Sequence, residues 1–244
     1  MKIVLSANSH WNIYNFRLGL IKKLLVDNEV YILGKKDYSS KYLKKIGCKI
    51  LNIDIDPHGK SISKEIILFL EYFKLIKKIK PDIYLGFTIK PNMYGSIISK
   101  FFNVKSISNI TGLGEVFIKG GFLKTIIILL YKFSIRYSNF IFLQNKSDLN
   151  YFKNKKIIIY NNYKLLPGSG INLKNYLFNK KKINKKHFKF LYVGRIIREK
   201  GVLELINAFK KIKKTKKKIS LTLIGKKDRN LQLNFNDKFY PSIK

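Results

Sequence analysis

A short basic segment in the second half of the chain has the residue types and spacing that bind a diphosphate. Residues 190–201 read FLYVGRIIREKG: a buried-strand pattern ends at Gly194, a basic loop follows, and a helical pattern begins at Gly201. The carboxyl edge of a parallel sheet and a helix N-terminus both favour anions. Arg195 offers paired planar donors to phosphate oxygens, and Lys200 adds a compact charge. A solvated basic loop is the alternative, which the glycine at each end disfavours.

Two loops that follow earlier strands carry further candidate contacts for a ligand. Residues 8–15 come directly after the first apolar run, so we expect them at the carboxyl edge of the predicted sheet. Residues 111–114 (TGLG) follow another strand, and their glycines would let a ligand approach the backbone. An ordinary tight turn is the alternative for the second loop. The candidate cleft or acceptor residues are Asn12, Arg17, Lys90, Thr111, Gly112 and Gly114.

Several residues near these loops have both a structural and a chemical interpretation. We interpret Trp11 as a packing residue in preference to a platform for a sugar ring. His10 is interpreted as structural or solvated in preference to a ligand contact. Lys90, beside a proline at a strand end, fits a structural turn and a cleft contact equally well. Glu115 is a carboxylate to test, and no residue is assigned as catalytic.

The sequence predicts no metal site and no other cofactor. Asp54 and Asp56 have the Asp-x-Asp spacing that can bind a metal, but they end an early strand immediately before Pro57, which favours a strand-to-turn transition. The single cysteine, Cys48, excludes an internal disulfide and a multi-cysteine metal site. Its apolar-alternating surroundings are typical of a core position.

The candidate residues are placed on an alternation of short apolar runs and longer helical patterns. This rhythm predicts an α/β domain whose parallel sheet has helices on both faces. Predicted strands cover residues 3–7, 29–34, 49–53, 82–87, 104–110, 140–143 and 157–160. Predicted helices cover residues 16–27, 39–46, 61–80, 92–102, 122–137 and 147–152.

The rhythm stops after residue 165 and restarts about twenty residues later. We therefore predict a Rossmann-like domain over residues 1–165, a linker over 166–186 and a second Rossmann-like domain over 187–244. The second part offers only strands 188–193 and 220–224 with a helix at 201–213, and residues 225–244 are polar without a repeated pattern. Because so small a unit buries little surface, we expect the second domain to be incomplete and the chain to be C-terminally truncated.

The order and spacing of these motifs resemble the family 4 glycosyltransferases of the GT-B fold, especially those acting on lipid-linked glycans. Residues 190–201 resemble the Gly-Arg…Lys-Gly donor loop that opens the C-terminal domain in that family. The other matching segments are residues 11–17 (WNIYNFR), 87–92 (FTIKPN) with Tyr94 and Gly95, 110–114 (ITGLG), 142–145 (FLQN) with Asp148, Leu149 and Phe152, and 167–172 (PGSGIN).

The resemblance implies an acceptor-side N-terminal domain and a donor-binding C-terminal domain, with no metal requirement. It implies retaining transfer of a hexose-type sugar from a nucleotide-diphospho-sugar to a lipid-linked glycan precursor of lipopolysaccharide or capsule. Because the family's loop arginine and lysine bind the donor diphosphate, that role is carried onto Arg195 and Lys200, beside Gly194. The family's later Glu-x7-Glu element has no counterpart before Lys244. A non-catalytic remnant, or half of a split enzyme, is therefore an alternative.

The formal net charge of +36 introduces a third function class. Lysine occurs together with abundant Ile, Asn, Tyr and Phe, the composition that an AT-rich genome produces, so we interpret most of the charge as solvated faces. A basic nucleic-acid-binding protein is the alternative. The lysines are spread over all predicted helices except the short one at 147–152, and no known binding motif occurs, so we expect no nucleic-acid partner.

The hydropathy pattern predicts a cytoplasmic protein. No uncharged apolar run reaches the ~18–20 residues of a membrane span, and the first residues form a strand pattern without a signal-peptide layout. Residues 122–143 are apolar but include Lys124, Lys132 and Arg136. They fit an interfacial helix against anionic lipid, or, in our preferred interpretation, a core helix and a buried strand. A lipid-linked acceptor would bring the protein to the inner face of the plasma membrane.

Overall fold

Two parallel β-sheets, one in each of two compact units, organise the chain. The computed structural model describes residues 1–56, 59, 61–112, 122–175, 187–216, 218–225 and 242–243. Unit 1 spans Met1–Tyr176 and unit 2 spans Leu177–Lys244. Their strands confirm the α/β architecture with parallel sheets that the sequence predicts.

Unit 1 alternates strands and helices along the chain. Its strands are β1 (Lys2–Ser9), β2 (Glu29–Lys35), β3 (Lys49–Asn52), β4 (Ile83–Phe87), β5 (Lys105–Ile110), β6 (Phe140–Leu143) and β7 (Tyr163–Leu165). Its helices are α1 (His10–Leu24), α2 (Ser39–Lys45), α3 (Ile62–Ile79), α4 (Ile89–Phe101), α5 (Phe122–Ile135) and α6 (Lys146–Asn154), followed by a short 3-10 turn at Leu173–Asn175.

The first sheet grows in one direction from β1 to β3 and then in the opposite direction from β4 to β7. The order is β3-β2-β1-β4-β5-β6-β7, with every pair parallel. Ile3 and Leu5 of β1 pack with α1 and α2, whereas Val4 packs with α3 and α4. Because both faces of β1 are covered, its sequence is apolar without alternation. The reversal between β1 and β4 is the topological switch point, where open α/β sheets bind ligands.

Unit 2 has a smaller sheet of the same kind. Its elements are β8 (Phe188–Val193), a 3-10 turn (Arg198–Lys200), α7 (Val202–Thr215), β9 (Ile219–Ile224) and β10 (Ser242–Ile243). The strand order is β10-β9-β8, all parallel. The apolar face of α7 covers the sheet through Val202, Ile206 and Phe209. The sequence-based prediction of only two strands for this part is therefore wrong, because the two-residue strand β10 lies in a tail with no apolar pattern.

The start of α1 also differs from the sequence-based prediction. The helix begins at His10 instead of residue 16, so residues 8–15 are the end of β1 and the first six residues of α1 instead of a loop. Ser9 has extended backbone angles, and its side chain accepts a hydrogen bond from the N–H of Asn12. This N-cap starts the helix directly at the strand end.

The last strand of unit 1 lies further along the chain than predicted. Residues 157–160 form no strand, and β7 instead spans Tyr163–Leu165. Ile157 and Ile158 are buried in a hydrophobic cluster with Phe152 of α6. A short apolar run indicates burial but does not by itself distinguish a strand from a packed turn. Leu166, in the predicted linker, donates its N–H to Leu143 O at 2.7 Å.

Cys48 occupies the core position that the sequence predicts. Its side chain is 4% exposed and packs in the cluster between α1, α2 and the sheet. Burial raises the pKa of the thiol to about 11 because the thiolate would be desolvated. Cys48 therefore remains a neutral core residue at physiological pH.

Candidate functional site

Polar side chains from the ends of four strands lie at the carboxyl edge of the first sheet. Thr88, directly after β4, donates its hydroxyl to Asn8 Oδ1 of β1 at 2.9 Å. Gln144, directly after β6, donates to Asn109 Oδ1 of β5 at 3.5 Å and to Ser169 Oγ at 3.3 Å. The Asn8–Thr88 pair bridges the switch point, the expected ligand position in such a sheet.

Thr88 has a backbone conformation that a β-branched residue rarely adopts. Its φ is 73° and its ψ is 167°, a region populated almost only by glycine. It precedes α4 but makes no side-chain capping bond, because its hydroxyl bonds to Asn8 instead. Such strain costs roughly 1–3 kcal/mol and is concentrated at functional sites.

The segment that follows Thr88 is held tightly against β4. The fully buried Tyr84 donates its hydroxyl to Pro91 O at 2.8 Å. A Cβ at Gly95 would lie 2.0 Å from Tyr84 Cζ, so only glycine lets the helix approach the ring. Asn92 donates its side-chain N–H to Asn109 O at 3.0 Å, and a Cβ at Gly86 would lie 2.4 Å from Asn92 Oδ1. These contacts fix the first turns of α4.

Lys90 clamps three segments of unit 1 together. Its ammonium forms an ion pair with Glu65 of α3 and donates to Asp56 O at 2.6 Å and Gly59 O at 3.3 Å. Tyr94 donates its hydroxyl to the other oxygen of Glu65. Burial, and then the bond to Glu65, raises the pKa of Tyr94. The structure therefore places Lys90 in a clamp instead of leaving its charge to a ligand, which favours its structural interpretation.

Arg17 is a buried cation beside the switch point. Its side chain is on the inner face of α1, with the residue only 6% exposed. The guanidinium lies 4.5 Å from the ring centre of Phe87, the last residue of β4, and Nη1 donates to Phe16 O at 2.9 Å. Desolvation lowers the pKa of Arg17. No carboxylate of the described residues forms an ion pair with it, so its charge is balanced only by the ring and the carbonyl.

The two residues that begin α1 have different roles. His10 is fully buried, with Nδ1 2.8 Å from Ser40 Oγ and Nε2 3.3 Å from Leu51 O. Burial lowers its pKa, so the neutral ring ties α1 to α2 and β3, as the structural interpretation expects. Trp11 is 41% exposed and packs edge-on against Phe16 at 5.9 Å.

The remaining candidates of unit 1 are Asn12, in α1, and the residues that follow β5. Asn12 is half-buried in the first turn of α1, where its backbone donates to the cap of the helix. Thr111 is exposed after β5, and no atom of the described residues lies within 4 Å of a Cβ built at Gly112. Gly114 and Glu115 lie outside the described residues.

The Asp-x-Asp pair has the environment of a turn. Asp54 follows β3 and forms an exposed ion pair with Lys35 at 3.0 Å. Within the part of the chain that the structure describes, no group of three His, Cys, Asp or Glu side chains is arranged to hold a metal ion.

The predicted phosphate loop lies at the carboxyl edge of the second sheet. Gly194 donates its N–H to Ile224 O at 2.9 Å, and a Cβ at Gly225 would lie 1.8 Å from Gly194 O. The two strand ends therefore touch through their backbones. Arg195 and Lys200 are exposed on the intervening loop, immediately before α7.

The sequence-based site prediction did not single out the Asn8–Thr88 and Asn109–Gln144 pairs. All four residues are polar and stand at, or directly after, the carboxyl end of a strand. That position was the available signal. The pairing itself depends on the strand order. For example, Asn8 and Thr88 are 80 positions apart in the sequence and are neighbours only because β1 pairs with β4.

Two family models match the two parts of the chain. Residues 2–145 match the model described as "Glycosyl transferase 4-like", and residues 174–239 match the model described as "Glycosyl transferases group 1". The first match includes all four paired residues at the edge of the first sheet. The second includes the loop that carries Arg195 and Lys200.

Individual proteins show similarity over most of the chain. The N,N'-diacetylbacillosaminyl-diphospho-undecaprenol alpha-1,3-N-acetylgalactosaminyltransferase of Campylobacter jejuni is 25% identical over 250 aligned positions, which are 94% of this chain and 65% of the relative. Sucrose-phosphate synthase of Thermosynechococcus elongatus has a TM-score of 0.68 at 16% identity, covering 95% of this chain and 64% of its own. Anabaena HepE, in complex with UDP and glucose, has a TM-score of 0.66 at 14% identity, with coverages of 94% and 62%.

These similarities confirm the predicted GT-B fold class and show how much of the related proteins this chain covers. At such low identity the solved structures support the fold alone. The chain spans less than two thirds of the length of each of these three proteins.

Proposed function

We propose that this chain, which belongs to the glycosyl transferase 4-like family, is a glycosyltransferase that moves a sugar from a nucleotide-diphospho-sugar to a lipid-linked glycan precursor. The family match covers residues 2–145. The observation that carries the proposal is the edge of the second sheet, where touching strand ends present Arg195 and Lys200 before a helix N-terminus. We propose surface-polysaccharide synthesis as the process in which this chain acts.

The donor diphosphate would lie against the loop of unit 2. The guanidinium of Arg195 can donate two parallel hydrogen bonds to phosphate oxygens, and the ammonium of Lys200 can neutralise a second oxygen. The N-terminus of α7 adds a favourable field for the same charge. During transfer the nucleoside diphosphate leaves with increasing negative charge, so these groups stabilise the transition state more than the ground state. This electrostatic role requires no metal ion, and we propose retention of configuration at the transferred sugar.

The acceptor would lie at the edge of the first sheet. The name of the Campylobacter relative contains a sugar linked through a diphosphate to undecaprenol, which makes polyprenyl-diphosphate sugars the acceptor class to test. Asn8, Thr88 and Gln144 offer hydrogen bonds to sugar or phosphate oxygens, and Arg17 supplies a buried positive charge beside Phe87, the residue before Thr88. The complex of HepE with UDP makes a UDP-sugar the first donor to test.

We further propose that the protein is cytoplasmic and binds peripherally to an anionic membrane. None of the described helices is long and apolar enough to cross a membrane. However, α3 exposes Ile62, Ile66, Ile67 and Leu70 by 50–78%, and α5 exposes Leu129 and Phe133 by 59% and 53%. Exposed lysines at positions 74, 77 and 78 continue the outer face of α3. Apolar residues with flanking lysines are typical of helices that bind anionic lipid surfaces.

The membrane proposal predicts sedimentation with anionic vesicles. Vesicles containing phosphatidylglycerol should pull down the protein, and phosphatidylcholine vesicles should not. Replacing Ile66 and Leu70 together with serine should reduce binding by at least about tenfold, because about half of each side chain is exposed and free to enter the lipid, and full burial of one such side chain contributes roughly 1.5–3 kcal/mol. Equal sedimentation of this variant and the wild type would contradict the assignment of α3.

The donor proposal predicts a selective effect of loop substitutions. Arg195→Ala and Lys200→Ala should each raise the Kd for a UDP-sugar at least about tenfold, since a charge-assisted hydrogen bond contributes roughly 1.5–3 kcal/mol. Arg198→Ala is the matched control, because Arg198 is an exposed cation of the same loop; its Kd should change less than about twofold. Isothermal titration measures binding, and labelled donor with a polyprenyl-diphosphate sugar measures transfer.

The outcomes separate the proposed function from its rivals. Unchanged donor binding in both Arg195→Ala and Lys200→Ala would contradict the donor site. Arg195-dependent binding without any transfer by the full chain would support the non-catalytic alternative. Salt-sensitive binding to DNA that exceeds donor affinity would support the nucleic-acid alternative.

A further inference from the structure

The carboxyl ends of β1 and β4 form a two-residue polar bridge at the switch point, and we infer that Asn8 contacts the acceptor while Thr88 positions Asn8 for that contact. The inference rests on the proposed function and names two residues for its acceptor side.

The hydrogen bond between the two residues orients the Asn8 side chain. The hydroxyl of Thr88 donates its single proton to Asn8 Oδ1 at 2.9 Å. The amide oxygen therefore faces Thr88, and the two N–H donors of Nδ2 point elsewhere. In the hydrogen bonds that the described residues form at this edge, Asn8 Nδ2 is not a donor. Asn8 is half-buried, so these donors are available to an oxygen that enters the edge.

The strain at Thr88 indicates that its side chain is needed where it stands. The φ of 73° and ψ of 167° would cost glycine almost nothing, whereas threonine carries the full steric penalty. By contrast, Lys80 ends α3 with φ 50° and ψ 62°, the ordinary left-handed conformation. Thr88 therefore differs from the usual helix-end exceptions, and glycine in its place would lose the hydroxyl that orients Asn8.

The motif after Thr88 provides the packing that maintains this strain. Tyr84 and Gly95 lock α4 onto β4, and Asn92 joins the helix to the end of β5. Lys90 ties the same turn to α3 through Glu65. Strained conformations persist only where the surrounding structure over-determines them. The run Thr-Ile-Lys-Pro-Asn, followed by Tyr94 and Gly95, thus works as one brace for the Asn8–Thr88 pair.

The ligand chemistry follows from the groups that meet at this point. Two amide N–H donors and the lone pairs of the Thr88 hydroxyl suit an oxygen-rich ligand. Phe87, the residue before Thr88, carries the guanidinium of Arg17 over its ring at 4.5 Å. A cation next to neutral donors favours the sugar-diphosphate part of a lipid-linked acceptor over an uncharged saccharide.

A fluorescence titration of the full chain tests the contact. Trp11 is the single tryptophan, lies three positions after Asn8, and is 41% exposed. The probe is a polyprenyl-diphosphate N-acetylhexosamine in detergent micelles. Asn8→Ala and Thr88→Gly should each raise its Kd about tenfold, the effect of one lost hydrogen bond to a charged group. Thr88→Ser, which keeps the hydroxyl, should restore most of the affinity.

A melting comparison tests the positioning role without any ligand. Alanine to glycine normally destabilises a protein, but at a glycine-only backbone conformation the order should reverse. The melting temperature of Thr88→Gly should therefore be about 2–4 °C higher than that of Thr88→Ala. Lys80→Gly is the control, because it relieves backbone strain at the opposite edge of the sheet. It should leave the acceptor Kd unchanged.

Three results would overturn the inference. If Asn8→Ala binds the acceptor with the wild-type Kd, Asn8 does not contact the acceptor. If Thr88→Gly has a lower melting temperature than Thr88→Ala, the backbone at Thr88 is not strained. Either result leaves the proposed function intact if the wild type binds the acceptor. Failure of the wild type to bind this acceptor, with donor binding retained, overturns the acceptor part of the proposed function and the inference with it.

Discussion

Replacing Gly95 with alanine should lower the melting temperature of the protein by roughly 6–12 °C, because overpacking of about 3 kcal/mol costs a domain of this size 2–4 °C per kcal/mol. The added methyl group would lie 2.0–2.2 Å from three atoms of the Tyr84 ring. That ring is fully buried, and its hydroxyl bonds to Pro91 O of the same helix. Neither the ring nor α4 can move away without breaking this bond.

Gly19→Ala is the matched control for Gly95→Ala. Gly19 is also inside a helix, but a Cβ there would meet nothing within 4 Å. Alanine is the better helix former by ~1 kcal/mol, so this variant should melt about 2–4 °C above the wild type. Calorimetry of both variants measures the difference. A Gly95→Ala protein as stable as Gly19→Ala would show that the α4–β4 contact is looser than the structure describes.

The effect of Gly95→Ala should also extend to the switch point. Gly95 lies seven positions after Thr88 and fixes the turn that carries it. A displaced α4 would release the strain at Thr88 and with it the orientation of Asn8. The stability change and the acceptor affinity are therefore expected to change together in this variant.

Much of the fold of unit 1 could be predicted because its central strand β1 is buried on both faces. Continuous apolar runs such as that of β1 are typical of central parallel strands, and eight of the nine strands predicted from the sequence overlap observed ones. The exception, residues 157–160, is apolar because Ile157 and Ile158 fill a cluster after α6. Local hydropathy indicates burial there, but the hydrogen-bonded partner of β6 is chosen by tertiary packing.

The two halves of the candidate site differed in how far the sequence could predict them. Arg195 and Lys200 occur in one local loop, so their spacing is readable directly. Asn8 and Thr88 belong to different strand ends, and only the order β1-β4 makes them neighbours. Lys90 shows the reverse case: its type suggested a ligand contact, whereas Glu65, 25 residues away, pairs with its charge. Sequence spacing does not show which cations have such a partner.

Replacing Gly225 with alanine should raise the Kd for a UDP-sugar more than about tenfold. The new Cβ would lie 1.8 Å from Gly194 O, a backbone atom that no rotamer change can remove, and φ at Gly225 is +150°. Since Gly194 immediately precedes Arg195, separating the two strand ends displaces the guanidinium. A displacement of ~1 Å is enough to lose a bidentate phosphate contact.

Gly47→Ala separates this clash from a general positive-φ effect. Gly47 has φ +105°, but its Cβ would meet only Leu25 Cδ2 at an ordinary 3.8 Å, in unit 1. It should lose stability through backbone strain and keep wild-type donor affinity. If Gly225→Ala also keeps wild-type affinity while folded, the Arg195 loop does not depend on the Gly194–Gly225 contact. The phosphate contact would then have to come from Arg195 and Lys200 independently of the strand ends, and Arg195→Ala would still weaken donor binding.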